Sequence, residues 1–344
     1  GMQVRTDWRD NTTVYAGFQF GNYFRMNKKT GERKYLEMPR DLGEDQLRFN
    51  WEAPFQISRH LQDVLYYGSQ KVYRSYDKGD TWTRISEDLT RGYTNAGNIP
   101  YSSLTTIEES ARKFGILYAG SDDGLGHLSK DGGNTWEKVI DKAGYWITMI
   151  QPSAHQDGRV YASLNGYRED HFSPYLMVSE DFGKTWAELG KDLPLEPINV
   201  IREDLVNENL LYVGTDNGLY LSFDRGKSFM SSNNRFLPQV AVHDIKIHHR
   251  ERELIVATHG RSIYIANAKP LQNLTPENLN KPLIFDHLNN ITYRKDWGKI
   301  YNKFVTKEDE EFPINFYTKD AGVATLKVLS PAGLLLKTLT HQAD

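Results

Sequence analysis

Carboxylates fall in three turn-like stretches of this chain, Asp122-Asp123-Gly124, Glu169-Asp170 and Asp216-Asn217-Gly218. Two carboxyl groups flanking a sugar linkage hydrolyse it, at a separation of about 5–5.5 Å with retention of configuration or about 6.5–9.5 Å with inversion. Asp122 or Asp123 with Asp216 is the first pair to consider for that chemistry. Turn chemistry alone also accounts for these residues, because Asp-Gly and Asn-Gly are the steps a tight hairpin requires. Sugar binding further needs flat rings to stack on, for which Trp51, Trp146 and Tyr167 are candidates. It also needs polar contacts, for which Glu169, Asp170, Asn217, His259 and Arg261 are candidates. Tyr167, Glu169 and Asp170 share the longest insertion, Asn165–Pro174, and long loops carry function. His259-Gly260-Arg261 reads either as a ligand-facing corner or as a turn whose Arg pairs with a neighbouring acid. His248-His249 has no third ligand at a suitable spacing, and there is no cysteine, so no metal site, thiol nucleophile or cofactor is expected.

The elements that must position these residues are set by a repeat. Ser-x-Asp-x-Gly-x-Thr-Trp occurs with its serine at 75, 129 and 179, and again, softened to Ser-Phe, at 222. Recurrence about every 50 residues means stacked supersecondary units. Each box follows two short β-branched and aromatic runs, such as Ile116–Gly120 then Leu125–Leu128, with a further run upstream and one downstream, such as Glu137–Ile140. These are strands, too short for helices, and four per unit predict a β-propeller. Two units without a box flank the four, giving about six over residues 1–268. Asp77, Asp131, Asp181 and Asp224 accept hydrogen bonds in the turn between the third and fourth strands, the glycine supplies positive φ, and Trp82, Trp136, Trp186 and Phe229 supply apolar bulk. The boxes are therefore architecture. Ligands are expected on the opposite face, built by the loops after the second and fourth strands; the latter also offer Arg48, Asn50, Glu52, Tyr93, Asn95 and Tyr145.

The last unit lacks an obvious fourth strand, and the first begins with its innermost one. The expectation is that the ring is part of a larger ring or an open arc, with blades missing or a second propeller of the same polypeptide alongside. Residues 269–310 read as a linker with three prolines, and 311–344 as the opening strands of an immunoglobulin-like sandwich. Charge nearly balances, 42 basic against 45 acidic residues, with no basic run interleaved with aromatics, so a nucleic-acid partner is not expected. No apolar run has membrane-spanning length.

The box resembles the Asp-box, or BNR repeat. Arg48-Phe49-Asn50-Trp51, Val242–His248 and Ala257–Tyr264 resemble stretches of large bacterial Asp-box propeller proteins, which are related to the sortilin ectodomain and often described as glycosyl hydrolases. The resemblance implies an extracellular, periplasmic or cell-surface location and a propeller that binds a glycan or protein as a scaffold module. Sortilin-type receptors carry a cysteine-rich module that this chain lacks, and the arginine trio of sialidases does not map onto it. Xyloglucan-active endoglucanases of two Asp-box propellers place opposed aspartates in the cleft between them. The alternative implied is thus a glycoside hydrolase using loop-face carboxylates.

Overall fold

The computed structural model describes residues 3–40, 42–92, 101–232, 237–285 and 314–343; Tyr93 and Asn95, and the charged run 307–311, lie outside them. The chain divides into two compact units, Gly1–Ala266 and Asn267–Asp344. The first is a six-bladed all-β propeller. Blade 1 comprises β1 Val4–Thr6, β2 Thr13–Phe18, β3 Asn22–Asn27 and β4 Arg33–Leu36. Blade 2 comprises β5 Phe55–Ile57, β6 Leu65–Gly68, β7 Val72–Ser75 and β8 Thr83–Arg84. Blade 3 comprises β9 Leu104–Glu109, β10 Leu117–Ser121, β11 Leu125–Ser129 and β12 Glu137–Asp141. Blade 4 comprises β13 Trp146–Pro152, β14 Val160–Gly166, β15 His171–Ser179 and β16 Ala187–Leu189. Blade 5 comprises β17 Ile198–Glu203, β18 Leu211–Thr215, β19 Gly218–Ser222 and β20 Met230–Ser231. Blade 6 has three strands, β21 Val242–Ile247, β22 Glu253–Thr258 and β23 Ile263–Asn267. Neighbours within each blade are antiparallel, as in Tyr118↔Leu128 and Tyr118↔Glu108 of blade 3.

Apolar side chains pack between successive sheets. Ile116, Tyr118 and Leu128 of blade 3 meet Ile147, Ile150 and Val160 of blade 4. Tyr161 and Leu176 of blade 4 meet Ile201 and Val213 of blade 5. Burial of such a side chain contributes about 1.5–3 kcal/mol, so the seams between blades hold most of the stability. The innermost strands of all six blades line one channel, and the Trp8 ring of blade 1 stands edge-on to His249 of blade 6 at 5.0 Å. The six blades therefore form a ring, which corrects the expectation of an open arc or larger wheel. Among the described residues blade 6 has no fourth strand, and β23 is an edge of its sheet.

The boxes do more than staple a hairpin. In the second box the Ser129 hydroxyl donates to Asp131 (2.9 Å) and accepts from the Gly133 amide (2.8 Å), while the Thr135 amide and hydroxyl donate to Asp131 (2.9 and 2.7 Å). The same four bonds recur at Ser179, Asp181, Gly183 and Thr185. The Trp then reaches the preceding blade: Trp136 Nε1 donates to the Ile85 carbonyl (2.8 Å) and Trp186 Nε1 to that of Val139 (2.9 Å). Box glycines abut the same outer strands. A Cβ on Gly133 (φ +92°) would stand 2.7 Å from Ile85, and one on Gly183 (φ +83°) 2.9 Å from Val139. Glycine is thus required both by conformation and by close approach.

In the second unit, β24 Leu283–Ile284 pairs with β25 Phe316–Tyr317, and β26 Gly322–Leu329 pairs with β27 Leu335–Ala343. A short helix, α1 Lys269–Gln272, opens it. Two separate two-stranded sheets are what the described residues of this unit contain, rather than a sandwich, and β26 and β27 bury none of their side chains.

Candidate functional site at the channel mouth

Each innermost strand starts at the face carrying the loops after second and fourth strands and ends at the face carrying the boxes. At the first face the channel widens into a cavity of about 510 Å³. Trp146, opening β13, forms part of its wall with Tyr167 and Asn165 of the long insertion. The Arg168 guanidinium lies 4.5 Å from the Trp146 ring centroid, a cation–π contact that holds the indole upright. The insertion is anchored from behind, where Tyr145 stacks on His171 (5.5 Å) and meets Tyr175 (4.5 Å). A turn of 3₁₀ helix, Tyr167–Glu169, then presents Tyr167 with 59% of its surface exposed.

Polar groups complete the wall. Asn165 Nδ2 donates to Asn199 Oδ1 (3.4 Å), and Asn199 Nδ2 donates to Asp216 Oδ1 (2.8 Å), so an amide chain crosses from blade 4 to blade 5. His243 and His259 lie 5.0 Å apart beside Asp216. Burial, reinforced by His259, lowers the pKa of His243 below the usual imidazole value. Glu52 lines the same cavity, and enclosure by protein, with Asp244 adding to it, pushes its carboxyl above the usual range. A second, smaller cavity of about 90 Å³ adjoins the first through Trp146, Asn165 and Tyr167, and is lined by Asp122 and Glu169.

The sequence candidates divide on this geometry. Trp146, Tyr167, Asp216 and His259 meet at the main cavity, and Asp122 and Glu169 at the smaller one. Asp122 is only 3% exposed and accepts from the Ser103 amide (2.9 Å), the Ser103 hydroxyl (2.9 Å) and Asn50 Nδ2 (3.0 Å). Burial raises its pKa to about 6 against the pull of those bonds. Asp123 is 1% exposed, accepting from the Ser121 hydroxyl (2.5 Å) and the Arg91 amide (2.8 Å). Asp122 thus ties together the loops entering blades 2 and 3, and Asp123 holds the loop between blades 2 and 3. Trp51, Asp170, Asn217 and Arg261 line neither cavity. Trp51 packs edge-on against Phe20 (5.1 Å), Asp170 (φ +58°) closes the 3₁₀ turn, and Asn217 donates to Glu196 (3.1 Å).

Below the cavity the channel narrows to a charged waist. Arg202 on β17 pairs with Glu108 on β9 (3.2 Å) and Asp244 on β21 (3.6 Å), and Lys246 pairs with Asp244 (3.1 Å). Enclosure by protein, with Arg202 adding to it, pushes the Lys246 amine down to about 8, although its side chain keeps 40% of its surface open to the channel. Burial alone would raise Glu108, but Arg202 and Arg59 overrule it and hold that carboxyl below its usual range. Arg202, Glu108, Asp244 and Lys246 were not among the sequence candidates, and Glu52 and Asp216, offered there separately, line one cavity. On β21 the signal is a charge on either side of a core residue, Asp244-Ile245-Lys246 with Ile245 fully buried.

Fold and site define a six-bladed propeller with an open, polar channel mouth, distantly related in fold to GH74-type glycosidase propellers. No family profile matches the chain. A xyloglucanase of Paenibacillus sp is 23% identical over 208 residues, which are 55% of this chain and 19% of that enzyme. The GH74 xyloglucanase from Xanthomonas campestris superposes with a TM-score of 0.57 at 18% identity, over 77% of this chain and 44% of that one. YCF48 from Cyanidioschyzon merolae superposes with a TM-score of 0.52 at 10% identity, over 80% of this chain and 95% of that one. The chain thus spans less than half the length of the xyloglucanases it matches, and at these identities the likeness is one of fold.

Proposed function

We propose that the loop-face mouth of the channel binds a glycan. The observation that carries this reading is the convergence of the Trp146 and Tyr167 rings with the amides of Asn165 and Asn199 on one cavity. Its 510 Å³ is within the range of small-ligand sites, about 300–1,000 Å³. The rings offer apolar faces to the C–H side of a pyranose, and the amides donate to and accept from its hydroxyls. Similarity to xyloglucanases favours a β-glucan backbone as the ligand. The same reading puts the protein outside the cytoplasm, as a secreted bacterial module of Asp-box type, with the C-terminal hairpin opening an immunoglobulin-like domain.

One observation favours hydrolysis as well as binding. Glu52 and Asp216 line the same cavity, and the Glu52 carboxyl is raised by its enclosure and by Asp244. A raised carboxyl keeps its proton to give to a departing glycosidic oxygen, while a second carboxylate activates water or attacks the sugar carbon. In this arrangement Glu52 is the acid and Asp216 the partner, with Asp122 and Asp123 holding the loops.

Calorimetry with xyloglucan oligosaccharides tests binding, and a reducing-end assay tests hydrolysis. Trp146→Ala is expected to weaken binding about 30-fold, as for a residue at the centre of an interface. Unchanged affinity in that variant removes the glycan reading. Absence of turnover in the parent chain removes the hydrolytic reading and leaves binding standing, and turnover that persists in both Glu52→Gln and Asp216→Asn removes those two residues as its acid and partner.

A further inference from the structure

The channel has a second mouth, on the face carrying the boxes, where a cavity of about 980 Å³ lies beyond the waist. The two cavities share Arg5, Glu108, Arg202 and Lys246 and otherwise differ in charge. The loop-face cavity adds Glu52, Asp216 and Asp244 to that set. The box-face cavity instead adds Lys28, Arg59 and Arg250. It also adds Glu203, whose charge is spent inside the protein: fully buried, that carboxylate accepts from the Ser153 hydroxyl (2.7 Å) and the Ala154 amide (2.8 Å). This mouth therefore carries an excess of cations in a chain whose net charge is −3.

Its cations come from four blades, so no local charge pattern explains their meeting. Blade 1 gives Arg5 and Lys28, blade 2 Arg59, blade 5 Arg202, and blade 6 Lys246 and Arg250. Arg250 pairs with its neighbour Glu251 (2.6 Å), and two further carboxylates face the remaining five cations. Glu108 is shared between Arg202 (3.2 Å) and Arg59 (3.7 Å), and Asp244 between Lys246 and Arg202. Arg5 has no carboxylate within ion-pair distance among the described residues; its guanidinium donates only to the Val4 carbonyl and Gln3 Oε1 (both 3.1 Å). Like charges gathered in a partly enclosed space repel, and an anion entering there relieves that repulsion. A guanidinium fork matches an oxyanion in two parallel hydrogen bonds. The wall beside the cations carries a flat ledge, in which His248 stacks on His249 (5.4 Å, 7° between planes) and Trp8 stands edge-on to His249.

We propose that the box-face mouth is a binding site for a compact polyanion, a small ligand bearing two or more phosphate-type oxyanions. It is separate from the glycan reading, which concerns the other end of the channel. Inorganic tripolyphosphate is the probe, titrated calorimetrically into the whole chain, with orthophosphate and a soluble poly-glutamate peptide as comparison arms. The expected result is saturable 1:1 binding of tripolyphosphate, tighter than orthophosphate and weakening with added salt. Arg5→Gln, which breaks no ion pair, is expected to lower affinity about tenfold, the loss of one charge-assisted contact. Lys28→Gln, on the exposed rim, is expected to lower it less. Thermal melts of both variants matching the parent establish that the ring is intact. Affinity for tripolyphosphate unchanged in both variants overturns the proposal, as does non-saturable binding. Tighter binding of poly-glutamate than of tripolyphosphate also overturns it, in favour of an acidic protein partner.

Discussion

Replacing each box tryptophan by phenylalanine separates two roles that the repeat combines. Trp136 and Trp186 each donate an indole N–H to a carbonyl of the preceding blade, at 2.8 and 2.9 Å. Trp82 occupies the same place in the first box, but its Nε1 is buried and finds no acceptor among the described residues. All three substitutions remove the same ring atoms, so the packing loss is common to them and cancels in the comparison. What remains is the hydrogen bond. Losing it costs about 0.5–1.5 kcal/mol, and leaving the carbonyl of Ile85 or Val139 unpaired brings the total to about 1–3 kcal/mol. Removing an indole N–H that is already unsatisfied costs nothing of this kind and relieves a desolvated donor. Trp136→Phe and Trp186→Phe are therefore expected to lose about 1–2 kcal/mol more stability than Trp82→Phe. Urea unfolding followed by circular dichroism measures this as a shift in midpoint at constant slope. The protein carries its own control, since Phe229 already stands in the fourth box. Equal losses in all three variants would refute the view that the tryptophans act as polar staples between blades.

Three further outcomes follow from the same geometry. Gly133→Ala meets both a positive φ and Ile85 at 2.7 Å, and is expected to cost about 3 kcal/mol in urea unfolding, where Gly31→Ala, with open space around it, costs about 1 kcal/mol for its φ alone. The Thr135 and Thr185 hydroxyls and amides hold Asp131 and Asp181 down to about 2. Their contribution is fully present above the unfolded value near 3.8 and is lost as pH falls towards 2, so Asp181→Asn flattens the melting-temperature profile only in that acid window. Asp122 has the opposite sign. Its pKa is raised to about 6, chiefly by burial, so the folded state holds a proton that the unfolded state has released. Stability is thus expected to fall as pH rises from about 4 to about 6, and a melting profile that keeps this slope in Asp122→Asn would rule Asp122 out as its source.

What the sequence disclosed and what it concealed follow from the range of the interactions involved. The boxes are legible because their bonds are local. Ser179 to Gly183 and Asp181 to Thr185 close within five residues, so residue type and spacing specify the turn before any tertiary contact forms. That the indole of Trp186 reaches Val139 is not legible, because the partner is a main-chain carbonyl and carries no residue-type signal. The aspartates mislead for a related reason. Asp122 and Asp216 look alike in sequence, each in a turn after a second strand, but Asp122 meets Ser103 of its own blade and Asn50 from the loop entering blade 2 and is buried, whereas Asp216 faces the channel. The waist is hardest to read. Arg5, Glu108, Arg202 and Asp244 stand on four different strands, β1, β9, β17 and β21, and come together only when the ring closes. A charge on an inner strand therefore carries no instruction about its partner, only about its face. The alternation Asp244-Ile245-Lys246 sets one side of β21 against the core and the other against the channel. Closure of the ring then decides which charges meet, and it leaves an excess of carboxylates at one mouth and of cations at the other.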